Sequence, residues 1–121
     1  LLLVQFFKLF KRSHRFGVNI ISHSPNDRYL ASEEVKIIQF GIYQTETWFL
    51  LHVIQCPSYL VSLWFNSTST LMASGGGDYI LRIWDIEKGE LLCNLYEHTN
   101  SINSVFVFCS NNQFLVSGSE D

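Results

Sequence analysis

The sequence predicts an all-β fold built from repeated units of short antiparallel strands. Strand-forming residues are abundant, the apolar runs are short and separated by turn residues, and a set of markers recurs about every 42 residues. Of the 121 residues, 47% are apolar and 15% aromatic, which is typical of a globular protein. Helical spacing does not extend beyond a turn or two in any segment.

The apolar runs have the length of strands, and the connectors between them favour turns. Arg82 interrupts the apolar run Ile80–Trp84, as expected where alternate side chains face opposite sides of a sheet. The predicted strands are Val4–Phe10, Val18–Ser22, Tyr29–Ser32, Val35–Phe40, Phe49–Ile54, Leu60–Phe65, Leu71–Ser74, Ile80–Ile86, Leu91–Tyr96, Ile102–Phe108 and Phe114–Ser117.

Serine and histidine markers establish the repeat. Ser32, Ser74 and Ser117 each close a segment of turn residues followed by apolar residues and a small residue, at spacings of 42 and 43. His14 precedes Ser32 by 18 residues, and His98 precedes Ser117 by 19. Markers that keep one phase over the whole chain indicate a repeat architecture.

Two further markers keep the same phase. Asp78 and Asp121 each follow a closing serine by four residues, and Cys56 stands in the middle unit where the other units have histidine. We therefore divide one domain, residues 1–121, into repeat units of about 4–40, 42–86 and 87–121, and expect a fragment whose last unit is truncated. Four short strands per ~42 residues are typical of a β-propeller blade.

Two stretches resemble the WD40 repeat family. ASGGGDYILRIWDIEKGELL, Ala73–Leu92, carries a serine, a turn Asp and a Trp-Asp ending that are similar to those of the family. EHTNSINSV, Glu97–Val105, resembles the family's Gly-His stretch with Glu97 in place of glycine. The resemblance implies a partial WD40 β-propeller of about two and three-quarter blades, each a four-stranded antiparallel sheet.

The resemblance also implies a polar network at the corner of each blade, in which His, Ser, Asp and Trp satisfy one another. An unsatisfied buried donor costs ~1–3 kcal/mol, so a buried corner requires such partners. In the first unit, whose corner we expect to be four residues shorter, Ile38 and Gln39 align with Trp84 and Asp85. The network residues are His14, Ser32, Ser74, Asp78, Trp84, Asp85, His98, Ser117 and Asp121.

Catalytic interpretations of these residues are weaker than the structural one. The SGGG run lacks the GxxxxGK[ST] pattern of a phosphate loop, so we interpret it as a turn that uses glycine for positive φ. Ser117, His98 and Asp121 are the residue types of a hydrolytic triad, but their place in a repeat assigns them to the corner network. We expect no enzymatic activity, no cofactor and no metal site.

Charge and cysteine content limit the partners and the compartment. The net charge of -3 argues against nucleic-acid binding through bulk charge, and the apolar run over residues 1–10 is shorter than the ~20 residues of a membrane span. Three cysteines without CxxC spacing indicate free thiols in a reducing, intracellular compartment. Glu33 and Glu34 are expected in a solvated turn. A candidate partner-contact loop contains Lys8, Lys11, Arg12 and Arg15.

The resemblance implies a scaffold that binds other proteins in a multi-subunit complex, contacts nucleic acid only indirectly and does not enter a membrane. Residues 65–95 are similar to WD40 subunits of the small-subunit processome, which implies a role in pre-rRNA processing and a nucleolar location. The alternative is the substrate-recognition or regulatory WD40 part of a larger enzyme, such as a ubiquitin ligase.

Overall fold

The computed structural model describes residues 18–34, 39–109 and 114–121, and these form ten strands in three antiparallel sheets. Within each sheet, neighbours in the chain are neighbours in space. The predicted all-β fold is confirmed. The first sheet contains β1 (Val18–His23), β2 (Tyr29–Glu34), β3 (Gln39–Gln44) and β4 (Phe49–Gln55); the second β5 (Leu60–Phe65), β6 (Leu71–Gly76), β7 (Leu81–Asp85) and β8 (Glu90–Leu95); the third β9 (Ile102–Cys109) and β10 (Phe114–Ser119).

The sheets are offset by one strand from the units of the sequence. β4, which opens the second sequence unit, hydrogen bonds to β3 and completes the first sheet. β8 completes the second sheet in the same way. The second and third sequence units therefore each contribute to two neighbouring sheets and link them covalently. The repeat boundaries themselves stay a prediction, and the predicted strand Val4–Phe10 lies outside the described residues.

The corner between β2 and β3, which we call the first corner, differs from the one expected from the sequence. Ser32 pairs with Gly41 and Ser74 with Arg82, so that Tyr43 is the equivalent of Trp84. The expected alignment of Ile38 with Trp84 was therefore wrong. The alignment of Gln39 with Asp85 was also wrong, because Gln44 is the equivalent of Asp85. The paired positions are one residue further apart than in the second sheet, not four closer, and the first four residues of the predicted strand Val35–Phe40 lie outside the described residues.

The first two sheets pack face to face through one apolar core. The ring of Phe40 meets that of Trp84 edge to face, with centroids 5.6 Å apart and planes at 81°. This geometry is favourable for aromatic pairs beyond the area that they bury. The fully or nearly fully buried members of the core are Ala31, Phe40, Ile42, Ile54, Leu60, Leu63, Phe65, Met72, Trp84 and Ile86.

Strand alternation gives the second sheet two apolar faces. Met72 belongs to the core shared with the first sheet, while its neighbour Ala73 packs with Leu81, Ile83 and Ile102 towards the third sheet. A strand buried on both sides is expected where a sheet lies between two others. β1 contacts β5, and β5 contacts β9, so the first strands of the three sheets lie side by side.

Candidate functional site

The corner between β6 and β7 is anchored by a buried hydrogen bond. The indole N–H of Trp84 donates to Ser74 Oγ at 2.8 Å. Both residues are buried, with Ser74 fully inaccessible and Trp84 6% exposed. The bond satisfies the only polar atom of the indole in a site where water cannot do so, and it ties β7 to β6 beneath the corner.

Asp78 obtains its partner from its own corner. Its carboxylate accepts from Arg82 Nη2 at 2.6 Å and from Arg82 Nη1 at 3.2 Å, a bidentate pair with side-chain exposures of 22% and 8%. It also accepts from the Ile80 N–H at 3.4 Å. The Arg82 guanidinium thus provides Asp78 with the partner that a histidine is expected to provide in other units.

By its spacing in the sequence, Cys56 stands where a histidine is expected in the second unit. Burial raises the pKa of the Cys56 thiol to about 12, although the positive charge of Arg82 acts in the opposite direction. A neutral thiol is a weak donor and a weak acceptor, so it cannot bridge two polar partners as an imidazole does. In this corner Asp78 is therefore paired with Arg82 instead.

The equivalent corner of the third sheet has the histidine. His98 Nε2 lies 2.8 Å from Ser117 Oγ, and His98 Nδ1 lies 3.2 and 3.3 Å from the two carboxylate oxygens of Asp121. Asp121 also accepts from the Thr99 N–H at 2.6 Å, and this bond is the main cause that lowers its pKa to about 2. The equivalent serine of the second sheet, Ser74, accepts from a tryptophan, which indicates that these serines tie strands together.

The other predicted network residues are not part of these two clusters. Asp85 lies at the opposite end of β7 from the corner, where its carboxylate accepts from the Lys88 N–H at 2.8 Å in the β7–β8 turn. Ser32 is fully buried in the first sheet. His14 lies outside the described residues, as do Lys8, Lys11, Arg12 and Arg15, so that the partner-contact loop stays a prediction.

The glycines of the SGGG run serve a close approach, not positive φ. The corner residue with left-handed backbone is Tyr79, with φ of 69°, so the expectation for the glycines was wrong. A Cβ on Gly76 would lie 2.0 Å from the Tyr59 carbonyl oxygen, and one on Gly77 would lie 2.3 Å from the Tyr59 ring. The Gly77 N–H donates to that carbonyl at 3.1 Å, so the β4–β5 loop rests directly on the corner.

Two contacts between sheets were missed by the sequence reasoning. Glu33, expected in a solvated turn, is 4% exposed, and its Oε1 accepts from the Leu60 N–H at 3.0 Å. His52 Nε2 lies 2.8 Å from the Glu87 carbonyl oxygen, and its imidazole lies against Gly89, whose φ is 67°. No local pattern signals either contact, because each joins residues 27 or 35 positions apart.

In residues 18–34, 39–109 and 114–121, no group of three or more His, Cys, Asp or Glu side chains could hold a metal ion. The described part of the chain contains no helix of the length and apolarity that crossing a membrane requires.

Comparison with known proteins agrees with this architecture. The family model "WD domain, G-beta repeat" matches residues 48–85 and 89–121, more than half of the chain. The chain belongs to the WD40 repeat family. The predicted WD40 fold is confirmed, and the Ser74–Trp84 bond and the Arg82–Asp78 pair lie in the first matched segment.

Solved WD40 structures share the fold of this chain. U3-55K aligns with a TM-score of 0.77 at 20% identity, and the RRP9 WD40 repeats align with 0.76 at 21%; each covers 86% of this chain and 33% of its own. The β-propeller domain of Cps50 (Swd1) from Myceliophteria thermophila aligns with 0.73 at 14% identity, over 84% of this chain and 32% of that chain. At such identities the likeness shows the fold alone.

A curated relative is much longer than this chain. The DENN domain and WD repeat-containing protein SCD1 of Arabidopsis thaliana is 31% identical over 67 residues, which are 55% of this chain and 5% of that protein. The chain therefore spans about a third of its structural relatives and a small part of this curated one.

Proposed function

We propose that this chain is part of a WD40 propeller that acts as a scaffold and binds other proteins in a multi-subunit complex. The observation that carries the proposal is the rigid joining of the first two sheets: one apolar core, the Glu33 side chain and the His52 side chain all link them. Sheets held in this way keep the loops at their ends in fixed positions, which is what a binding platform requires. Contacts with nucleic acid would be indirect.

In this scaffold, the corner networks have a structural role. The Trp84–Ser74 bond and the Ser117–His98–Asp121 chain each join a strand to the next strand or loop at the same end of the sheets. Their side chains satisfy one another, and Ser117 stands in the third sheet at the repeat position where Ser74 binds an indole in the second. We therefore propose that they stabilise the blades and that the protein is not an enzyme.

The test is purification of the tagged full-length protein from its source cells, followed by cross-linking and mass spectrometry. The scaffold predicts stoichiometric partner proteins cross-linked to residues in the loops at the ends of the strands. Elution as a single chain at its own mass, without partners at physiological salt, would refute it. Expressed alone, residues 1–121 should be poorly soluble or oligomeric, because apolar Ile21 and Val116 are exposed on the first and third of the described sheets. A monomer with a sharp cooperative melt would contradict that expectation.

We further propose that the complex is one that processes pre-ribosomal RNA, which would place the protein in the nucleolus. Support comes from the similarity of residues 65–95 to WD40 subunits of the small-subunit processome. Depletion of the full-length protein should then cause precursors of 18S rRNA to accumulate, and a fluorescent fusion should label nucleoli. Normal 18S maturation after depletion would exclude this assignment and leave the general scaffold intact.

A second candidate is the regulatory or substrate-recognition part of a larger multidomain protein, such as a ubiquitin ligase. It is favoured by the match to SCD1, whose name combines WD repeats with a DENN domain. The flanking reading frame distinguishes the two. A non-propeller domain attached to the repeats supports this second candidate, and an uninterrupted series of 42-residue units argues against it.

A further inference from the structure

Three exposed tyrosines lie at one end of the sheets. β4, β6 and β8 all run towards this end, so the β4–β5, β6–β7 and β8–β9 loops meet there. Each of these loops carries one tyrosine: Tyr59 is 56% exposed, Tyr79 42% and Tyr96 69%. We call these three residues the tyrosine surface. Tyrosine is enriched at protein interfaces because its ring is apolar and its hydroxyl can hydrogen bond.

Two members of the tyrosine surface are held in place by the corner. The Tyr59 ring lies over Gly77, and its hydroxyl is 3.5 Å from Ser101 Oγ. Tyr79 has left-handed backbone, with φ of 69°, and its N–H donates to the Gly76 carbonyl at 3.3 Å. That conformation favours glycine over a bulky residue, so a tyrosine at this position is conformationally unfavourable. The Tyr59 ring and the Tyr79 backbone are thus fixed before binding, which reduces the entropy that is lost when a partner arrives.

The charge next to the tyrosine surface is negative. Glu97 follows Tyr96 and is exposed, and the exposed Glu120 donates its backbone N–H to the Ser101 carbonyl at 3.4 Å. Of the described cationic side chains at this end, Arg82 is 8% exposed and paired with Asp78, and His98 lies between Ser117 and Asp121. The surface would therefore repel phosphate and attract a cation.

We propose that the tyrosine surface binds an arginine-containing segment of a partner protein. A guanidinium can stack on a tyrosine ring and form a bidentate pair with a carboxylate, whereas lysine lacks the planar group that both contacts use. Tyr59 and Tyr79 provide the rings, and Glu97 and Glu120 provide the carboxylates. This inference rests on the proposed scaffold function and specifies the chemistry of its partner.

The test is fluorescence anisotropy with the full-length protein and labelled peptides of six Gly-Arg, Gly-Lys or Gly-Glu repeats. We expect the Gly-Arg peptide to bind most tightly, the Gly-Lys peptide more weakly and the Gly-Glu peptide not at all. Tyr79→Gly removes the ring and relieves the left-handed backbone, so it should weaken Gly-Arg binding about tenfold without lowering stability in urea. The double variant Glu97→Gln, Glu120→Gln should also weaken binding and reduce its salt dependence.

The matched control is Phe49→Ala. Phe49 is 69% exposed and begins β4 at the opposite end of the sheet, so its loss should leave Gly-Arg binding unchanged. Unchanged affinity in Tyr79→Gly would overturn the proposal, and so would an equal loss in Phe49→Ala, which would show that the effect is not specific to the tyrosine surface. Tighter binding of the Gly-Glu peptide would also overturn it.

Failure of this inference is distinguishable from failure of the scaffold. If Tyr79→Gly binds Gly-Arg as the wild type does but purifies with the same stoichiometric partners, the inference fails and the scaffold proposal stands. If the wild-type protein purifies without partners, the scaffold proposal itself fails.

Discussion

Ser74→Ala tests the hydrogen bond at the centre of the best-preserved corner. The substitution removes the acceptor of the Trp84 indole N–H, a bond of 2.8 Å between two buried residues, and leaves the backbone pairing of β6 with β7 in place. A buried donor without a partner costs ~1–3 kcal/mol, and we expect the free energy of unfolding to fall by about that amount. Ser67→Ala, at an exposed serine of the β5–β6 turn, is the matched control and should change stability by less than ~0.5 kcal/mol.

The decisive measurement is a double-mutant cycle with Trp84→Phe. Phenylalanine has no N–H, so Ser74→Ala in that background should cost much less, and the two changes should couple by about 1 kcal/mol or more. Urea unfolding of the full-length protein, followed by far-UV circular dichroism, gives the four free energies. Equal costs of Ser74→Ala in both backgrounds would refute the reasoning, because they would show that the indole N–H has no need of the serine.

Three further predictions follow from contacts of the same region. Gly76→Ala should lower the Tm by several degrees, because the new Cβ would lie 2.0 Å from the Tyr59 carbonyl oxygen, a backbone atom that cannot rotate away. An unchanged Tm would contradict this prediction. Asp121 has a pKa of about 2 in the folded protein, below its ordinary 3.8, so its contribution to stability should be present above pH 4 and lost as the pH falls towards 2. In Asp121→Asn, the urea concentration at the unfolding midpoint should change less with pH over that range than in the wild type. Identical pH profiles for variant and wild type would exclude the effect. Iodoacetamide at pH 8 should alkylate Cys56 more slowly than the exposed Cys93, because burial raises the pKa of the Cys56 thiol to about 12. Peptide mass spectrometry can measure both rates, and equal rates would be inconsistent with the burial of Cys56.

Much of the fold could be predicted because its signals are local. The order and type of the strands between Leu60 and Asp85 follow from alternating apolar residues and from turn residues, both of which act within a few positions. The 42-residue spacing then brought out Ser74, His98 and Ser117 as corner residues, and the structure places each of them in a hydrogen bond at a corner. In a repeat, each unit supplies separate sequence evidence for the same structural position, so that several weak signals together support one prediction.

The first corner could not be aligned from sequence. The run ending at Phe40 and the run that follows it are both short and rich in apolar residues, so either could have paired with the strand of Ser32. The hydrogen-bond ladder selects the second, with Tyr43 at the position of Trp84 and one additional residue in the corner. Register is decided by which side chains become buried, and a shift along the strand is invisible to composition.

The amino-acid sequence by itself determined the strand pattern, the period of the repeat and the residue types at the corners. Only the tertiary structure decided what lies against those corners. Glu33 is buried because the second sheet presents the Leu60 N–H to it, and Gly76 cannot carry a side chain because the Tyr59 carbonyl rests on it. Arg82 replaces a histidine as the partner of Asp78 through a geometry that spacing does not reveal. The physical reason is range: alternation and turns act between near neighbours in the chain, whereas burial and close contact depend on surfaces formed by distant segments.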